Sequence, residues 1–246
     1  MTGDNPLPRL SLVIPAYNEE RFLPRLLDSI DEAARRYAAS VEVIVADNAS
    51  TDRTAELARR RGCRVVSAEK RCIAAARNAG GRAARGEIVG FVDADMRIHP
   101  DSFDAIDKAL ASARIVGGAT GCTLERWSLG LGVTFAMFLP LVWLTNFDTG
   151  VVFCRRTDFE ATGGYNESLR LAEDVAFLVA LRGVGKKNGR RLTRLRNVKA
   201  VASTRKFDEH GDWHYMTTIP RWTLAYLLKQ PGARGKIERY WYEPRR

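Results

Sequence analysis

Glu87-Ile88-Val89-Gly90-Phe91-Val92-Asp93-Ala94-Asp95-Met96 is the stretch on which the fold turns. Glu87 to Val92 is a short apolar run rich in β-branched residues directly after Gly86, the pattern of a strand buried inside a sheet. Two carboxylates, Asp93 and Asp95, stand at its end. Two residues apart in an extended segment, they point to the same side, where the carboxyl end of the strand meets solvent. Like charges that close repel unless a cation lies between them, and a hard divalent ion with oxygen ligands suits the gap. The rival reading is a solvated turn carrying two surface acids, and the D-x-D alone does not choose between them.

The chain on the amino side of this stretch repeats one pattern. Leu10 to Ile14 is a buried-type strand ended by Pro15-Ala16-Tyr17-Asn18. The spacing of Leu23, Leu26, Leu27, Ile30 and Ala34 predicts a helix from about Glu19 to Ala39, with Glu19 and Glu20 at the positive end of its dipole. Val41 to Ala46 is a second strand, and Asp47-Asn48-Ala49-Ser50-Thr51-Asp52 caps a helix reaching about Arg61. Cys63 to Ser67 is a third strand, Ile73 to Ala84 a helix, and Glu87 to Val92 the fourth strand. This alternation predicts a doubly wound, mainly parallel α/β sheet whose ligands bind outside the carboxyl ends of the strands. Tyr17, Asn18, Asp47, Asp93 and Asp95 all fall at such ends. The first strand leads into P-A-Y-N rather than G-x-G-x-x-G, and Gly183-Val184-Gly185-Lys186-Lys187 is only a fragment of a phosphate loop. Dehydrogenase and P-loop chemistry are therefore disfavoured.

At 246 residues the chain accommodates one large α/β domain, and 46% hydrophobic and 28% charged residues are ordinary for a globular protein. Cys63, Cys72, Cys122 and Cys154 are scattered without a C-x-x-C pair, which argues against a zinc site and for a reducing compartment. Met1 to Pro8 is polar and predicts no signal peptide, so the expected location is cytoplasmic. The net charge of +10 is concentrated: ten Lys or Arg and no acid lie between Val175 and Phe207. Such a run predicts an anionic partner, either a phosphorylated substrate or an anionic membrane surface. Nucleic acid is not expected, because no recognisable binding motif accompanies the charge.

Six motifs occur in a familiar order: Val13-Ile14-Pro15-Ala16-Tyr17-Asn18-Glu19-Glu20, Asp47 to Asp52, Ala76-Arg77-Asn78-Ala79-Gly80, Asp93-Ala94-Asp95, Gly163-Gly164-Tyr165-Asn166-Glu167 and Glu173-Asp174. The series resembles family 2 glycosyltransferases of GT-A fold over residues from about 10 to about 185. The resemblance implies a Rossmann-like nucleotide-sugar-binding half at about 8–115, an acceptor and catalytic half at about 116–215, and a basic tail at 216–246, all in one domain. It implies inverting transfer from a nucleotide-diphosphate sugar, with Mg²⁺ or Mn²⁺ as cofactor. Pro15, Ala16, Tyr17, Glu19, Asp47, Arg77, Asp93 and Ala94 would then bind the donor, Tyr17 against the base and Arg77 reaching the nucleotide from a helix start. Asp93 and Asp95 would serve the metal, with His210 or His214 as a further ligand, and Arg205 and Lys206 would meet the diphosphate. Asp174, with Glu173 beside it, would be the general base; the rival reading is a pair of acids stabilised in the first turn of a helix.

Three other readings compete, one of them a basic membrane- or nucleic-acid-associated module that the charge run alone supports. A sugar nucleotidyltransferase should carry a Gly-rich basic loop after its first strand, which P-A-Y-N-E-E is not. A binding protein that kept the nucleotide site but lost catalysis is disfavoured by the retained Asp93, Asp95 and Asp174. Finally, Trp127 to Phe147 contains no charged residue over its 21 positions, long enough for a membrane span. Gly130, Gly132 and Pro140 interrupt it, and spanning would part the D-x-D from the E-D motif. Two readings remain open: a pair of core helical turns, or an apolar surface resting on a bilayer with Trp127 and Trp143 as anchors, suited to a lipid-linked acceptor.

Overall fold

The computed structural model describes residues 7–145, 147–148, 150–169, 172–218, 221 and 232. The side chains of 138–145, Trp143 among them, lie outside the described residues. The elements in chain order are β1 (Leu10–Ala16), α1 (Leu23–Arg36), β2 (Val41–Asp47), α2 (Thr54–Arg60), β3 (Arg64–Ser67), α3 (Ile73–Ala83), β4 (Ile88–Phe91) and α4 (Ser102–Ala111). They continue with β5 (Ile115–Leu124), α5 (Leu129–Thr145), β6 (Val152–Arg155), α6 (Arg156–Thr162), α7 (Glu173–Lys187), β7 (Arg191–Ala202) and α8 (Arg205–His210). The chain divides into two compact units, Met1–Thr123 with Thr145–Ala202 and Leu124–Leu144 with Ser203–Arg246.

The first unit is built on a seven-stranded sheet in the order β3-β2-β1-β4-β6-β5-β7. The four strands nearest the amino terminus run parallel, and β6 runs antiparallel to both β4 and β5. The sheet is therefore mixed but mainly parallel, as the alternation predicts. Strand alternation assigns β1 to both cores: Leu10, Leu12 and Ile14 pack with Leu23, Leu26, Ile30, Phe103 and Ile106 on one face. Val13 faces the other layer with Ile44, Val89, Phe91, Phe159, Phe177 and Leu181. A parallel sheet with both faces covered reads as nearly continuous apolar strands, which is why β1 and β4 were legible. Gly80 lets α3 lie close on the sheet, since a Cβ there would come within 2.2 Å of Val13 Cγ1.

Three local expectations are corrected. The first helix begins at Leu23 rather than Glu19, with Pro24 in its first turn, where the ring's fixed φ favours a start and the missing N–H is no loss. Glu19 and Glu20 are thus not dipole partners. Their backbone N–H groups donate to Thr54 Oγ1 and Asp52 Oδ2, tying the loop after β1 to the loop after β2. The second correction concerns Asp93 and Asp95, which do not lie on an extended segment. The Met96 N–H donates to the Asp93 carbonyl at 3.1 Å, so both aspartates belong to a tight turn beyond β4. The apolar run at Trp127 to Phe147 forms the single helix α5 instead of a pair of turns. Among the described residues no helix is long and apolar enough to cross a membrane.

Candidate active site

Parallel register brings the strand ends to one edge: Ala16 pairs with Asp47, and Val13 with Phe91. The P-A-Y-N loop and the D-N-A-S-T-D loop are knitted together there. Asn18, at a φ of 55°, accepts the Thr51 N–H on its Oδ1 at 2.8 Å, and its own N–H donates to Ser50 Oγ at 3.0 Å. The Asp47 carboxylate accepts the Ser50 N–H at 3.3 Å. Asparagine tolerates the left-handed region because its short polar side chain bonds locally, which gives the motif's Asn a backbone reason beside any ligand role. The Arg71 guanidinium lies 4.4 Å from the centre of the half-buried Tyr17 ring and also meets its hydroxyl. Arg71 was not singled out in the sequence, because it sits outside every motif.

The polar centre of the site is Arg77. Its side chain is 8% exposed, and it bridges two acids: Nη2 donates to Asp93 Oδ1 at 2.7 Å and Nη1 to Glu173 Oε1 at 2.6 Å. Burial works against its charge, but Asp93, Glu173 and Asp174 more than offset that and raise its pKa, so it stays a cation at any working pH. The guanidinium also lies 5.2 Å from the Tyr165 ring centre. Arg77 therefore stands between the D-x-D turn and the start of α7. Burial pushes the Tyr165 hydroxyl pKa well up, and among the described residues that hydroxyl has no hydrogen-bond partner.

Asn78 explains the coupling of two motifs. Its Nδ2 donates to the Tyr165 carbonyl and to Glu167 Oε1, both at 2.9 Å, while its Oδ1 accepts the Tyr165 N–H at 2.7 Å. The two glycines before Tyr165 have φ of +77° and +84°, the left-handed region that favours glycine. The R-N-A-G and G-G-Y-N-E motifs are thus one structural latch that holds Tyr165 over Arg77.

Arg77, Asp93, Tyr165 and Asp174 line a common cavity of about 30 Å³ with Phe91, Val92, Gly150 and Val152. Two of the expected acids, Asp93 and Asp174, are thus brought together. Glu173 is buried on Arg77, whereas Asp174 is half-buried and accepts the Val175 N–H at 2.8 Å. The Asp93 carboxylate, although paired, is still 43% exposed, and Asp95 is half-buried on the same turn. Two half-exposed carboxylates on one turn fit a divalent ion that takes one or two protein oxygens and the rest from a diphosphate. Among the described residues no three His, Cys, Asp or Glu side chains gather as a metal site.

Arg205, Lys206, His210 and His214 belong to the second unit, on α8 and just after it. His214 is buried, and its Nδ1–H donates to the Gly211 carbonyl at 2.7 Å; burial lowers its pKa. The rings of His210 and His214 are 5.6 Å apart. The acid-free basic run is partly neutralised from outside itself: Arg190 forms a two-pronged pair with the buried Asp158, and Arg194 pairs with the buried Asp148.

The family model described as Glycosyl transferase family 2 matches residues 11–128, just under half of the chain, and the chain carries a GT-A-type fold. Over 125 residues it is 35% identical to the undecaprenyl-phosphate 4-deoxy-4-formamido-L-arabinose transferase of Pseudomonas paraeruginosa, covering 46% of this chain and 35% of that protein. The chain spans about a quarter to a third of the length of the first curated relatives it matches. In fold it is similar to a Pyrobaculum calidifontis mannosyltransferase bound to GDP-Man and Mn²⁺, with a TM-score of 0.63, 20% identity, and 95% and 79% of the two chains covered. Glucosyl-3-phosphoglycerate synthase of Mycobacterium tuberculosis, with Mn²⁺ and UDP, is similar at a TM-score of 0.61 and 22% identity, over 92% and 80% of the chains.

Proposed function

We propose that this chain transfers a glycosyl group, with inversion, from a UDP- or GDP-sugar to an acceptor hydroxyl or lipid phosphate. The observation that carries this reading is the cavity shared by Asp93 and Asp174, with Arg77 locked behind it. Of the adjacent acids, Glu173 is committed to Arg77 and is a positioning residue. Asp174 faces the cavity and is the general base that takes the acceptor proton as the oxygen attacks the anomeric carbon. Arg77 holds the D-x-D turn and the start of α7 at a fixed separation, so that donor and base are oriented before substrate arrives. Asp93 and Asp95 would hold Mg²⁺ or Mn²⁺, which supplies positive charge to the departing diphosphate. Tyr17 and Asp47, at the ends of β1 and β2, are proposed to bind the nucleoside, with Pro15, Ala16, Glu19 and Ala94 shaping the loops around it. Arg205 and Lys206 are proposed as diphosphate contacts, and His210 or His214 as a further metal ligand.

The acceptor side favours an apolar component, since Val175 and Val179, one turn apart directly after Asp174, are 41% and 54% exposed. A lipid-linked acceptor matches that surface and a cytoplasmic, membrane-peripheral placement. Calorimetric titration with UDP-, GDP- and TDP-sugars, with and without Mn²⁺, tests the donor half of the proposal. One of these donors should bind in a Mn²⁺-dependent manner and be turned over. Binding without turnover by any acceptor fraction would favour a non-catalytic nucleotide-sugar-binding protein.

A further inference from the structure

Among its described residues the second unit leaves several apolar side chains exposed. Helix α5 has no charged residue along its length, and a helix that is apolar all round is expected to be covered by protein or lipid. Yet Leu129, Val133 and Met137, spaced four apart on one face, are 78%, 38% and 49% exposed. Trp127, packed edge-on against Phe135 at 5.3 Å, is itself 56% exposed, and Trp213 and Met216 of the same unit are also exposed. This arrangement is fixed in place. Arg126 pairs with Asp208 and Asp212, and a Cβ at Gly130 would come within 2.9 Å of the Asp212 carbonyl oxygen, so the segment bearing Trp213 is clamped to the first turn of α5.

We infer that this face docks on an anionic lipid bilayer, with Trp127, Leu129, Val133 and Met137 entering the interfacial region. The occupant is chosen by charge and by residue type. Residues 213–246, which continue from this unit, carry seven Lys or Arg against two Glu, together with seven Trp or Tyr. A segment rich in basic residues, Trp and Tyr together with an apolar helix face is the composition that an interface of acyl chains and anionic headgroups binds. A second copy of the chain would bring the same positive segment against itself, whereas anionic lipid supplies the opposite sign. At 17 residues α5 lies on such a surface rather than crossing it.

Co-sedimentation of the full chain with vesicles tests this without donor or acceptor, so its outcome is separate from that of the transfer reading. With phosphatidylglycerol-containing vesicles at low salt the wild type should pellet. With pure phosphatidylcholine or at high salt it should stay largely in solution. V133D/M137D should lower the bound fraction at least tenfold while keeping the wild-type circular dichroism spectrum and donor affinity. The inference is overturned if the wild type remains in solution with anionic vesicles, or if the double variant pellets equally. A wild type that ignores vesicles but forms a dimer abolished by V133D/M137D would assign the face to self-association instead.

Discussion

The carboxyl edge of the sheet and the α5 unit invert each other's chemistry. At the sheet edge a charged cluster is inside: Arg77 is buried between Asp93 and Glu173. Among the described residues of the α5 unit one row of apolar groups is outside, and the ion pairs of Arg126 with Asp208 and Asp212 lie near the surface. A buried cation held by two acids is preorganisation, because each group is oriented before any ligand arrives. An exposed apolar face has the opposite meaning, since a contiguous apolar patch marks a surface for interaction.

The largest effect should come from the cavity. Asp174→Asn should cut turnover by about 10² or more while changing donor affinity less than about tenfold, as loss of a base requires. Asp95→Ala should abolish Mn²⁺-dependent donor binding with the fold intact. If Asp174→Asn turned over normally, the acid would be only a helix-end charge and the contrast between the regions would lose its catalytic half. Next is the buried cation itself. Arg77→Met leaves Asp93 and Glu173 facing each other without a cation, which should cost about 3 to 5 kcal/mol in denaturant unfolding. A stable Arg77→Met protein would show that the cluster is not what joins the D-x-D turn to α7. Asn78→Ala, which strands the Tyr165 backbone groups, should cost about 1 to 3 kcal/mol.

Smaller effects are expected in the α5 unit, where pH is the sharper tool. Burial holds the folded-state pKa of His214 below its ordinary 6.5, so the neutral ring is the stable form. Its contribution is fully present above pH 6.5 and is lost as the pH falls through the lowered folded value. Tryptophan-monitored thermal melts at pH 7.5 and 5.5 should show a lower midpoint at 5.5, and His214→Phe should reduce that difference. Arg126 and Ser128 depress the Asp212 pKa to about 2, so its stabilising role is present above about 3.8 and fades as the pH falls toward 2. Because the Arg126–Asp212 pair is partly open to solvent, Arg126→Ala should produce the smallest change of the set, confined to the 208–213 segment, readable by amide exchange.

The strand pattern, the mainly parallel sheet and the carboxyl-edge location of the site were all legible in the sequence. Each follows from local rules: β-branched apolar runs at Leu10 to Ile14 and Glu87 to Val92, and polar residues directly after them. The motif acids were legible as well, because D-x-D and E-D are short and unbroken. The residues alone do not divide the labour between Glu173 and Asp174, which share a helix turn and a charge; only the family resemblance favours Asp174 as the base. Only the arrival of Arg77 from α3, 96 residues away in the chain, turns one inward and leaves the other at the cavity. The start of α1 was misread for a related reason. Glu19 and Glu20 look like dipole partners until the loop after β2 supplies Thr54 and Asp52 to their N–H groups.

The basic run illustrates the same limit. Its ten cations are plain in the sequence, but Asp158 and Asp148, which neutralise two of them, come from other parts of the chain. For α5 the composition left burial and exposure equally open, because an apolar helix has no polar face to orient it. Sequence determined what each segment could be, since propensity and period act over a few residues. Tertiary structure decided which charges are partnered and which apolar faces are left open, since those depend on groups distant in sequence meeting in space.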